Sequence, residues 1–208
     1  MPPLIHGDDD MQTNSTKRVW IFFGILFAIY FCTAFYYNYK AEMNPVSADL
    51  SETERAMCSL TRSDGMVTLT LPPTYVGEVT QEQLNEVAEK KGYASITLNK
   101  GGSATYVMSE DAHKEMLLSL KEGIDQKIKN LPFSESSYKS IESISYNDDY
   151  TDFEIRLNTD KMNDKLSMAS VNLKLLSNMY NAFNGIGDAG FSATYYGKSG
   201  SILATTNK

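Results

Sequence analysis

Three observations predict an α+β domain carried behind one N-terminal membrane helix in this 208-residue chain. Val19 to Tyr37 reads VWIFFGILFAIYFCTAFYY, with no charge among its residues. Further on, short alternating segments come in pairs around Gly- and Asn-rich turns. Between those pairs lie polar stretches with apolar residues at three- and four-residue spacing, the signature of amphipathic helices.

The apolar run is the first element. At about 1.5 Å per residue it is roughly 28 Å long as a helix, close to the hydrocarbon core of a bilayer. The expected span is 19–39, a signal anchor opening on Val19 and Trp20, with Tyr37 in the aromatic edge at its far end. Lys17 and Arg18 stand just before it and only Lys40 follows closely, so retention of positive charge places residues 1–18, a polar and disordered tail, in the cytoplasm. The remainder would face outward at the cell membrane. The rival reading is a cleaved signal peptide, for which Cys32-Thr33-Ala34 is a poor processing site. Gly24, Ala28 and Cys32 share one helix face, where small residues let a second copy's helix approach as a homodimer.

Residues 40–64 read as a stalk or linker. Pro45 breaks the helix leaving the bilayer, and Ser51-x-x-Glu54 can cap a short polar helix to about Thr61. The outward domain is assigned to 65–208. Met66 to Leu71 alternates as MVTLTL, a strand stopped by Pro72-Pro73. Thr80-x-x-Gln83 is a capping box, and Leu84, Val87 and Ala88 give a short helix that Gly92 ends. Tyr93 to Leu98 and Ser103 to Met108 make a hairpin around Asn99-Lys100-Gly101-Gly102. Ser109 opens a long helix with His113, Leu117, Leu120, Ile124, Ile128 and Leu131 on its apolar stripe, up to Pro132.

A second strand pair runs from about Ser140 to Tyr146 and from Asp152 to Leu157. A third helix spans about Asp164 to Phe183, and the last pair is Phe191 to Tyr196 and Ser201 to Thr205. The resulting order, β-α-ββ-α-ββ-α-ββ, suggests one antiparallel sheet with about three helices on one face. The α-ββ unit recurs three times without a matching residue repeat.

Charge narrows the function classes. Lys17, Arg18 and Lys40 balance Asp8, Asp9 and Asp10, so the whole net charge of −7 falls on residues 41–208. Such a domain is unsuited to nucleic acid or anionic lipid. Cys58 is the one cysteine outside the span, which excludes an internal disulfide in the outer domain.

Candidate chemistry is sparse. Ser136-x-x-Lys139, Ser170-x-Asn172 and Lys198-Ser199-Gly200 follow the order of penicillin-binding proteins and serine β-lactamases. The spacings are too short for that fold, and Ser136 falls in a loop rather than at a helix start. Gly185-x-Gly187-x-x-Gly190 matches a dinucleotide fingerprint but follows a helix, the reverse of what a pyrophosphate needs. His113 lacks companions for a metal or a triad and reads as a packed residue. Asp148, Asp149, Asp152 and Glu154 lack the glycine and alternation of a calcium loop. Tyr150, Tyr195 and Tyr196 are a candidate exposed aromatic cluster. No catalytic residue, metal site or cofactor is assigned.

The stretches VTLTLPPTYVGE (67–78), TQEQLNEVAEKKGYASITLNKGGSATYVM (80–108), HKEMLLSLKEGID (113–125), NDDYTDFEIRL (147–157) and NMYNAFNG (178–185) resemble a group of small extracytoplasmic, mostly lipoprotein-type domains of Gram-positive gut bacteria. The resemblance implies an extracytoplasmic location and brings no activity. The chain departs from it in its anchor, where an uncleaved helix replaces a lipobox cysteine. The expectation is a non-enzymatic module binding an extracytoplasmic protein, peptide or wall component; the alternatives are an envelope hydrolase and an accessory subunit of a membrane complex.

Overall fold

The computed structural model describes residues 51–134 and 138–207. The expected tail, its topology residues Lys17 and Arg18, the span from Val19 and Trp20 to Tyr37, and the small-residue face of Gly24, Ala28 and Cys32 lie outside the described residues. Among the described residues no helix is long and apolar enough to cross a membrane.

The described chain is α+β. Its helices are α1 (Glu52–Met57), α2 (Pro73–Val76), α3 (Gln81–Lys91), α4 (Glu110–Ser134) and α5 (Asp164–Phe183). Its strands are β1 (Ser59–Ser63), β2 (Met66–Leu71), β3 (Ser95–Leu98), β4 (Ala104–Ser109), β5 (Ile141–Tyr146), β6 (Asp152–Leu157), β7 (Ser192–Tyr196) and β8 (Ile202–Asn207). They form two four-stranded sheets, β1-β2-β4-β3 and β5-β6-β7-β8, rather than the single sheet expected.

Each sheet is built as hairpin, helix, hairpin. In the first, β2 and β3 flank β4, which is antiparallel to both. In the second, β7 itself lies beside β6 and pairs with it in parallel. A parallel neighbour requires a crossover, and α5 supplies it. The recurring α-ββ pattern thus folds in two ways, depending on which strand of the second hairpin joins the first.

The expected stalk is corrected at its end. Ser51 and Glu54 do form a reciprocal capping box, but the helix stops at Met57. Ser59–Ser63 then pairs antiparallel with β2, from Ser59–Thr70 to Ser63–Met66. Asp64 and Gly65 form the turn, with φ of 53° and 73°. Two central residues at positive φ are what a tight type I′ hairpin requires, and Asp-Gly is a preferred pair for it. Other boundaries follow local chemistry. Thr80 and Gln83 cap α3 reciprocally, and Gly92 closes it in the left-handed conformation. Ser109 Oγ accepts the amide of Ala112 at 3.1 Å at the start of α4. Pro132 does not end α4, which continues to Ser134.

α4 ties the layers together. Its stripe residues Ile124, Ile128 and Leu131 enter a buried cluster with Phe153, Ile155, Leu157, Leu166, Leu173 and Tyr195. The same helix also contacts β2 and β4 of the first sheet, and α5 contacts β2. There Val67, Leu69, Leu71, Ala104 and Met108 are fully buried. His113 is buried on this helix, and its Nε2 lies 3.0 Å from the Phe183 carbonyl. A carbonyl only accepts, so Nε2 carries the proton and satisfies an end group of α5.

Two substitutions test this packing. A Cβ on Gly185, at φ 77°, would collide with the Leu60 side chain and lie 2.9 Å from its amide nitrogen. Gly185→Ala is expected to cost about 2 kcal/mol in urea unfolding, from strain plus displacement of β1. Ser177 Oγ is buried without a hydrogen-bond partner among the described residues. Ser177→Ala removes that penalty and adds helix propensity, so it is expected to stabilise by about 1 kcal/mol in the same measurement.

Candidate functional site

The serine-enzyme motifs do not assemble. Ser136 lies outside the described residues. Lys139 is exposed, and its carbonyl accepts from Asn158. Ser170 Oγ donates back to the Ser167 carbonyl at 2.6 Å, and Asn172 Nδ2 donates to the Tyr138 hydroxyl at 3.3 Å. Lys198-Ser199-Gly200 sits in the β7–β8 turn, where the Ser199 amide and Oγ bond Asp160 at 2.9 and 2.8 Å. Those two bonds hold the Asp160 carboxyl below the usual carboxylate range.

Two glycines of the run, Gly185 and Gly187, serve close packing; Gly190 lies in the loop at φ 73°, its amide 3.4 Å from Asp188 Oδ1. Gly185 faces Leu60, and a Cβ on Gly187 would collide with the Arg55 carbonyl. Close approach of α1 and β1 is what glycine permits here.

The acidic turn is also structural. Asn147 Oδ1 accepts from the Thr151 and Asp152 amides at 2.8 and 3.0 Å. The Asp149 carbonyl accepts from buried Asn181, and Asp148 pairs with Lys121 at 3.1 Å. Glu154 lies 3.8 Å from Arg156. No group of three or more metal-ligating side chains is placed together among the described residues.

The tyrosines correct the expectation of an exposed cluster. Tyr150 and Tyr195 are fully buried, at 0% and 1% exposure, and only Tyr196 is partly open. The Tyr195 hydroxyl donates to the Leu166 carbonyl and accepts the Ser170 amide inside α5. Tyr150 is held at φ 55°, stacked on Tyr146 and edge-on to Tyr180. The hydroxyls of Tyr146 and Tyr150 both donate to Asp125 Oδ1, at 2.9 and 2.6 Å. Burial, then the bond to this carboxylate, pushes the Tyr146 hydroxyl up to about 12 and Tyr150 higher still.

What the structure does assemble is a neutral face on the first sheet. The register places Thr70 between Ser59 and Thr105, with Thr97 beyond. The next row runs Thr61, Thr68, Val107 and Ser95, and Ser63, Met66 and Ser109 complete the face. Rows are about 7 Å apart along the strands, and strands about 4.8 Å apart, so methyls and hydroxyls form a regular grid. Thr70 and Thr105 bond each other at 3.2 Å, and Asn99 Nδ2 donates to Thr105 at 3.0 Å. These side chains are half-buried or exposed, whereas Val67, Leu69 and Met108 on the opposite face have no exposure.

Among the described residues no charged side chain stands on this face. A soluble surface is about 25–35% charged, so several were expected at this many positions. The open face of the second sheet behaves normally, with Asp152, Glu154 and Arg156 along β6 and the Arg156 guanidinium 5.2 Å from the Tyr196 ring centre. The signal was present in sequence as Ser59-x-Thr61, Thr68-x-Thr70 and Ser95-x-Thr97, but only the strand order brings those pairs side by side.

Fold and face together define, among the described residues, an α+β module with an uncharged, hydroxyl-rich sheet face. No family model, curated protein or solved structure matches the chain.

The tyrosine–carboxylate bonds make a pH prediction. A tyrosine whose folded pKa exceeds its unfolded value of about 10 contributes stability below pH 10, lost as pH rises through the folded value. The stability gap between the wild type and Tyr146→Phe is therefore expected to be constant to about pH 10 and to shrink towards pH 12, read by urea titration at each pH.

Proposed function

We propose that this chain is a single-pass membrane protein, N-terminus inside, whose outward domain is a non-enzymatic module that binds neutral, hydroxyl-rich wall glycan through the Ser/Thr face of its first sheet. The observation that carries the reading is the absence of charge on that face, among the described residues, in a chain of net charge −7. An anionic polymer is repelled by the domain as a whole, and a cationic one is drawn to its acidic surfaces instead. A neutral polysaccharide pays neither cost and presents hydroxyls that the threonine grid can meet.

Each hydrogen bond to such a ligand replaces one to water and contributes only about 1 kcal/mol. Binding is therefore weak per site and depends on a repeating polymer and many anchored copies. The nineteen-residue apolar run and its Lys17-Arg18 flank support the anchoring. The resemblance to extracytoplasmic domains of Gram-positive bacteria supports the location.

The test is cosedimentation of the full chain, in detergent, with insoluble chitin and β-glucan as neutral probes and a pectate gel as the anionic one. Retention on at least one neutral polymer and not on pectate is expected, with a loss of tenfold or more in Thr68→Lys/Thr105→Lys. Absence of retention on both neutral polymers, or retention indifferent to the double substitution, contradicts the proposal.

A further inference from the structure

The segment Ser51–Ser63 is attached to the domain differently from everything after it. α1 buries none of its residues, and on β1 only Leu60 is even half-buried. Apart from Cys58, its attachments are surface ones. Arg55 Nη1 pairs with Asp188 at 2.8 Å, with 34% and 65% of the two side chains exposed. Glu54 accepts from the Thr74 hydroxyl. Leu60 rests on Gly185, the Arg55 carbonyl rests on Gly187, and β1 lies on β2. Between α1 and β1 the segment's own Cys58 is turned inward, 9% exposed, its Sγ 3.8 Å from the Glu54 carbonyl.

The ladder geometry sets how this segment can leave. Ser59 opposes Thr70 at the end where the chain enters, and Ser63 opposes Met66 beside the turn. Displacement arriving from residue 50 thus opens the pairs one at a time, from Ser59 towards Asp64. On its other side β2 is paired with β4, with Val67 opposite Met108, Leu69 opposite Tyr106 and Leu71 opposite Ala104, pairs that do not involve the segment. Elements with few buried contacts and exposed hydrogen bonds are those that open below the global unfolding limit.

We propose that α1 and β1 form a clasp that opens as a unit while the rest of the domain stays folded. Opening uncovers Cys58 and the outer edge of β2. It also removes Ser59, Thr61 and Ser63 from the neutral face, so the clasp controls glycan binding along its β1 edge. The opening stands on the packing alone; its effect on binding rests on the function proposed above.

Cys58 is the reporter. Burial, then the charge of Glu54, pushes its thiol up to about 11, so the closed form reacts slowly with a disulfide reagent and the open form quickly. The experiment labels full-length Cys32→Ser protein in detergent with dithionitrobenzoate at pH 8. Gly187→Ala places a methyl against the Arg55 carbonyl and is expected to speed labelling tenfold or more, and Asp188→Ala about threefold. The core substitution Ile155→Val is expected to lower the urea midpoint while leaving the native labelling rate within twofold. Labelling that is unchanged by Gly187→Ala, or that follows global stability across all three variants, overturns the clasp. Faster labelling in Gly187→Ala upholds the clasp whatever the retention; retention on the neutral polymers unchanged by Ser59→Lys/Thr61→Lys rejects the binding role of this edge.

Discussion

The burial of α4 against both sheets is the constraint on which the rest depends. A sheet with one apolar face needs a second layer, and here one helix of about 37 Å contributes to that layer for both sheets. Ile124, Ile128 and Leu131 close the core over the second sheet, while other contacts reach β2 and β4 of the first. Each buried side chain of this size contributes about 2 kcal/mol. With α4 fixed, α5 docks beside it through the His113–Phe183 contact, and the inner faces of both sheets are committed. Their outer faces are then free to differ, one charged and one neutral.

The same constraint explains the tyrosines. Asp125 projects from α4 and takes two phenolic hydroxyls, which turns β5 and the Asn147–Thr151 turn onto the helix. Tyr150 pays backbone strain at positive φ to reach that carboxylate, with Asn147 and Asn181 holding the turn around it. A cluster that resembles a binding site in sequence is thus spent inside the fold.

Local order was legible in the sequence wherever the cause is local. MVTLTL alternates because one face of β2 is buried; Thr80 and Gln83 cap because their spacing is that of a capping box; β6 and α5 have the bounds their patterns predict. Strand β1 escaped because SLTRS has a single apolar residue, although Asp64-Gly65 was a hairpin signal in plain view. The division into two sheets escaped because it rests on β2–β4 and β6–β7, pairings between strands that are not chain neighbours in a hairpin. The candidate site shared that fate. Its Ser-x-Thr pairs were visible singly, and only their lateral register makes a face.

The central claim is that this face, and no other, meets the ligand. The direct measurement is methyl-selective NMR of threonine-labelled full-length protein in detergent, titrated with a soluble chitin oligosaccharide. The account predicts shifts confined to Thr61, Thr68, Thr70, Thr97 and Thr105, with Thr194 and Thr205 of the second sheet unmoved. Shifts centred on Thr194 and Thr205, or none on the first sheet at saturating sugar, would contradict it.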